Sequence, residues 1–138
     1  MKHLFVPYEI ARQLKEKGFN EPCFLVYHDK KLVAIKDHVS SNFLIPITTN
    51  KELGVKTFCA PLYQQVINWF RDTHKIYMSI FPDYNSKDDY KTCWGFNIVQ
   101  LEWGEDKEHH LASYDREYET LYNEALTKAI EAALKLIA

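Results

Sequence analysis

The first apolar pattern along the chain has helical spacing. Ile10, Ala11 and Leu14 share one face. Pro7 suits the first position of such a helix, where its missing N–H costs nothing. Gly18 suits the left-handed residue just past the end, which would let Phe19 touch Leu14 in a Schellman closure. These signals predict a helix over about residues 7–17. Residues 22–28, with Cys23-Phe24-Leu25-Val26-Tyr27, read as a strand, Asp29-Lys30 as a polar break, and residues 31–36 as the returning strand of a hairpin. Both strands are apolar on both faces near their middles, so each face is expected to be at least partly covered. Residues 42–48 are extended and apolar, but Pro46 demotes them to an edge strand or a packed loop. Thr49-Asn50-Lys51-Glu52 has capping-box spacing, and Gly54 follows so closely that one helical turn is the most the segment can hold.

Pro61 opens a second helix in the same manner as Pro7. Leu62, Tyr63, Val66, Ile67 and Phe70 fall in one sector, with Gln64, Gln65, Asn68, Arg71 and Asp72 opposite. Lys75 stands at its end, where a cation suits the helix dipole. Ile76 to Phe81 reads as a strand and residues 82–91 as a polar loop. Thr92 to Trp103 reads as a long strand with Trp94, Phe96 and Ile98 on one face and Cys93, Val99, Leu101 and Trp103 on the other. Ser113 or Asp115 can cap a last helix that runs to about Leu136. Its stripe begins at Tyr114 and Tyr118, continues through Leu121 and Tyr122, and ends on Ala125, Ala129, Ala132, Ala133 and Leu136. Glu124–Lys128 and Glu131–Lys135 on its far side are spaced i,i+4 in the favourable order. The order helix, two strands, helix, two strands, helix predicts an α+β two-layer fold. Three helices would lie against an antiparallel sheet of about four strands, in one globular domain over residues 1–138.

Composition agrees and excludes more than it assigns. With 138 residues, 46% of them hydrophobic, and nine Tyr, eight Phe and three Trp, a compact core is expected. Collagen, a coiled-coil rod and an acidic disordered tail are ruled out. A net charge of −2 gives no overall pull toward nucleic acid or an anionic membrane. The charge is uneven: residues 1–58 hold nine basic and six acidic side chains, residues 101–138 four and nine. Such a gradient favours head-to-tail self-association as readily as a foreign protein partner. Cys23, Cys59 and Cys93 form no CxxC pair and read as small buried hydrophobes. Pro7 and Glu9 interrupt any signal-peptide core, and no apolar run reaches the roughly 18 residues of a membrane span. Free thiols without an export signal point to the cytoplasm.

The candidate chemistry is thin. Glu105-Asp106-Lys107-Glu108-His109-His110 gathers groups that can ligate a divalent ion, but a solvated acidic loop ahead of a helix explains them more simply. Asp83 to Asp89 begins like a calcium loop, yet it lacks the glycine at the sixth position and puts Trp94 where a bidentate Glu belongs. Cys59 and His74 flank the second helix, about 20 Å apart, too far for a nucleophile and its base. No nucleophile elbow, zinc-protease helix, phosphate loop or dinucleotide fingerprint occurs, which argues against an enzyme and implies no cofactor. Asp115 and Glu119 fall on the side of the last helix that also carries Leu126, Ile130 and Ile137. With His109 or His110 they could line a ligand-binding polar pocket, although a first turn overhanging the sheet edge is the simpler account. Lys30-Lys31 at the hairpin tip would protect an exposed edge rather than grip phosphate.

Three segments carry a family resemblance. Val6-Pro7-Tyr8-Glu9-Ile10-Ala11 leads through Gly18-Phe19 to Pro22-Cys23-Phe24. Ala60-Pro61-Leu62-Tyr63 to Trp69-Phe70-Arg71 is the second, and the last helix from Glu124 to Ile137 is the third. Together they resemble small hypothetical proteins of phages, prophages and mobile elements of gut anaerobic bacteria. That group implies no activity, cofactor or catalytic residue. The expectation is therefore a non-enzymatic cytoplasmic accessory protein that binds a protein partner or itself. A small ligand binder or enzyme with a pocket near the start of the last helix is the alternative, and nucleic acid or membrane is not the expected partner.

Overall fold

A computed structural model describes residues 1–35, 47–85, 91–101, 108–109 and 121–138. Helix α1 spans Tyr8–Glu16, and Pro7 stands one residue earlier than expected, as the extended N-cap. Its end follows the sequence signal closely. Gly18 adopts φ +90°, the Phe19 amide donates to the Leu14 carbonyl at 2.9 Å, and the Gly18 amide donates to Lys15 at 3.1 Å. That pair of bonds is the Schellman closure. Ile10, Ala11, Leu14 and Phe19 are all buried.

Strands β1 (Leu25–His28) and β2 (Lys31–Ala34) form the expected hairpin, with Val26 opposite Val33 and Tyr27 opposite Leu32. The two connecting residues, Asp29 and Lys30, both have positive φ, 49° and 62°. This matches the turn whose twist suits a two-residue hairpin. Asp tolerates that conformation, whereas Lys pays for its Cβ there. Lys30→Gly should therefore raise stability by about 0.5–1 kcal/mol, less than the full relief because Gly also loosens the unfolded chain. Urea unfolding measures this, and a loss of stability would show that the turn carries no strain.

A third strand, β3 (Thr57–Cys59), pairs with β1 on the side away from β2, giving the order β2-β1-β3. It is too short to announce itself in the sequence, and the surrounding polar atoms fix it. Asn50 is 4% exposed, donates to the Phe19 carbonyl at 2.8 Å and accepts the Cys59 amide at 2.9 Å. The Lys15 ammonium donates to the carbonyls of Leu53, Gly54 and Thr57. Half of the expected capping box is present: the Glu52 carboxylate accepts the Thr49 amide at 2.9 Å, with a second bond from Thr48. Those bonds hold its carboxyl below the usual range. The segment is a turn, as Gly54 implied.

Helix α2 (Tyr63–His74) follows Pro61, and the Gln65 side chain accepts the free Leu62 amide at 2.9 Å. The helix stops at Lys75, at φ +56°, whose ammonium donates to the Asp72 carbonyl. The chain groups into two compact units, Met1–Val66 and Ile67–Ala138, and the division falls inside α2.

In the second unit, β4 (Ile76–Asn85) pairs antiparallel with β5 (Lys91–Leu101), and β5 with the two-residue β6 (Glu108–His109). The strand expected to end at Phe81 runs on to Asn85, so the expected loop over residues 82–91 begins later. Pro82 does not end the strand because β4 is the outer member of the order β4-β5-β6, where a missing N–H is tolerated. Opposite Phe81 stands Gly95, where an added Cβ would lie 2.8 Å from the Phe81 ring. Helix α3 covers Tyr122–Leu136 and packs on β4 and β5. Leu121 is the extended residue before its first turn, and Ser113 and Asp115, the expected caps, lie outside the described residues. Its buried face joins Ala125, Ala129 and Ala133 to Leu126, Ile130 and Leu134, while Tyr122 is 45% exposed. The expected stripe is thus turned toward the aliphatic side, where larger side chains remove more apolar area from water. Tyr114 and Tyr118 lie outside the described residues.

The fold is α+β with antiparallel strands and the expected order of helices and hairpins. The difference lies in the sheet. Where one sheet of about four strands was expected, β3 and β6 each complete a separate three-stranded sheet.

Candidate functional site

In the first unit a narrow helix meets a wider sheet. Three strands spaced about 4.8 Å apart, plus their side chains, exceed what one helix about 10 Å across can cover. Helix α1 rests on β3 and on β1: the Tyr8 ring meets Tyr27 and Phe58 edge-on, at centroid distances of 5.7 and 5.6 Å. Strand β2 is left as the outer strand beside them.

The step between helix and edge is a cleft of about 610 Å³. Tyr8, Tyr27 and the β2 residues Leu32 and Val33 line it, and Lys2, Lys30 and Lys31 supply its charge. Among the described residues no carboxylate and no histidine lines it. All three lysines are exposed, and Val33 is 38% exposed. The Tyr27 hydroxyl donates to the Val6 carbonyl at 2.7 Å, and burial, with Tyr63 nearby, pushes its ionisation upward. A tyrosine so held transfers no proton at neutral pH. The cleft can attract and hold an anion, but its described lining offers lysines and tyrosines and neither a histidine nor a carboxylate to serve as a catalytic base.

The thiols are equally quiet. Cys23 and Cys59 lie beneath the surface, 1% and 0% exposed, and the Cys23 thiol donates to the Glu21 carbonyl at 3.5 Å. Thr48 pairs with Cys23 through both backbone bonds and accepts the Cys59 thiol. The neighbouring Cys59, then burial, pushes the Cys23 thiol upward, and burial does the same to Cys93, whereas the neighbouring Cys23 draws the Cys59 thiol downward against its burial. Enclosed thiols out of reach of a substrate are poor nucleophiles.

His74, at the end of α2, packs edge-on against Trp69 at a centroid distance of 4.6 Å and beside Phe70. Its Nε2 has no hydrogen-bond partner among the described residues, and burial lowers its pKa below the ordinary 6.5. The unfolded chain therefore takes up this proton before the folded chain does. His74 should cost stability as the pH falls through about 6.5, with no further loss once the pH is below its folded value. Urea unfolding of the parent and of His74→Leu across that window tests this: the variant should have the flatter profile. Identical profiles would refute it.

Of the pocket residues singled out in the sequence, only His109 lies among the described residues. His109 stands on β6 opposite Gln100. His110, Asp115 and Glu119 lie outside the described residues. Asp83, at the head of the rejected calcium-like stretch, is a β4 residue opposite Cys93. Among the described residues no three His, Cys, Asp or Glu side chains are placed to hold a metal, and no helix is long and apolar enough to cross a membrane. The sequence marks Lys30-Lys31 as a guard for the hairpin edge and carries no signal for the cleft. Tyr8 and Tyr27 gave no signal, because only the seating of α1 on the sheet brings their rings together. No protein family, curated protein or solved structure matches this chain.

Proposed function

We propose that the protein acts by binding another protein rather than by catalysis, and that it does so at the outer edge of its first sheet. The observation that carries this is β2: among the described residues it is an outer strand of its sheet, and Lys31, Val33 and Ala34 are exposed along it. An exposed outer strand offers backbone donors and acceptors to a further strand, and neighbouring side chains give selectivity. A foreign partner fits better than a second copy docked edge to edge, because that contact would bring two lysine-rimmed clefts toward each other. The unoxidised thiols of Cys23, Cys59 and Cys93 suit a reducing compartment such as the cytoplasm. The likeness of the three sequence segments to phage and mobile-element proteins suggests the accessory set of such an element as the setting.

Selection of displayed random peptides against the whole chain, followed by amide exchange of the bound complexes, tests the reading. Binders that protect residues 31–34 are expected. Binders that map elsewhere, or a failure to select any, would overturn it.

A further inference from the structure

We infer that the segment received at β2 is extended and acidic, with carboxylates at alternate positions reaching the lysines of the adjoining cleft. This rests on the edge-binding reading above and adds the chemistry of the partner. Three lysines, Lys2, Lys30 and Lys31, line one cleft, and among the described residues no acidic side chain lines it to neutralise them. Their nearest acidic neighbour in the chain, Asp29, lies 3.5 Å from His28. By contrast Arg12 on α1 is paired with both Glu9 and Glu16. The lysine charge at the cleft is therefore available to an incoming anion.

The geometry points to an extended strand rather than a compact anion. Lys30 and Lys31 stand where the hairpin turn enters β2, and Leu32 and Val33 carry the lining along that strand. Side chains two apart on a strand share a face and stand roughly 7 Å apart. A segment alternating acidic and β-branched residues would thus present carboxylates to the ammonium groups while its backbone lies along β2. Single-stranded nucleic acid is the lesser fit, because it needs open ring faces for stacking. Here Tyr8 is engaged with Tyr27 and Phe58, and Tyr27 is only 9% exposed.

The test uses the whole chain and three probes: an end-blocked peptide alternating Glu and Val, the same peptide with Gln for Glu, and a short oligothymidylate. Binding is read by calorimetry and its place by amide exchange. The Glu peptide should bind, protect residues 31–34, and weaken steeply with added salt. The Gln peptide should bind about tenfold more weakly, as should the Glu peptide to Lys31→Glu. Lys30→Gly is the companion variant, because it removes one ammonium while easing the turn, so weaker binding there cannot be laid to misfolding. Equal protection of β2 by both peptides would overturn the acidic requirement and leave the edge reading standing. Protection of β2 by neither peptide would overturn both, and binding of oligothymidylate alone would replace them with a nucleic-acid function.

Discussion

Asn50→Leu is expected to lower the stability of the protein by about 2–5 kcal/mol, through the loss of two buried hydrogen bonds to backbone. The amide side chain spans two otherwise separate pieces of backbone. Its nitrogen donates to the Phe19 carbonyl, just past the end of α1, and its oxygen accepts the Cys59 amide on β3. Leucine fills a similar volume and answers neither group, while water has little access to a site where Asn50 is 4% exposed. Asn50→Asp should not rescue the site, since it keeps an acceptor for Cys59 but sets a buried, unpaired carboxylate against the Phe19 carbonyl. Urea unfolding followed by circular dichroism ranks the three proteins. A loss below about 1 kcal/mol for the leucine variant, within the range of an ordinary surface change, would mean that these bonds are not what fixes β3.

Lys15→Met should cost about 2–3 kcal/mol, the range for hydrogen bonds to one charged donor, reduced because the side chain is only half-buried. Three carbonyls converge on its ammonium: Gly54 at 2.7 Å, Thr57 at 2.9 Å and Leu53 at 3.4 Å. The same ammonium lies 5.5 Å from the centre of the Phe58 ring. The long aliphatic stem is kept in methionine, so the loss reports the charged head alone. Arginine should not restore the full stability, because a planar fork does not point at three convergent oxygens as a tetrahedral ammonium does. Thermal and urea unfolding of both variants measure this, and a methionine variant as stable as the parent would remove Lys15 from the account.

Local signals were legible wherever local chemistry decides. Pro7, Gly18 and Phe19 announced the limits of α1, and Asp29-Lys30 announced the hairpin, because caps and tight turns depend on residues adjacent in sequence. The partition into two sheets was not legible. It depends on Thr57–Cys59 finding β1, and that pairing is secured by Asn50 and Lys15 from outside the strand. The cleft escaped for the same reason: Lys2, Tyr8, Tyr27 and Lys31 are scattered over the first thirty-one residues, and only the tertiary seating of α1 gathers them. Of the pocket expected near the last helix, only His109 falls on described backbone.

Pro82 gives the two sheets unequal fates in a crowded solution. A foreign strand laid against the outside of β4 would meet a residue with no amide hydrogen midway along the strand, opposite Trp94. Fibre growth by endless stacking of chains would stall at that step. The second sheet is thereby kept out of polymerisation without any help from charge.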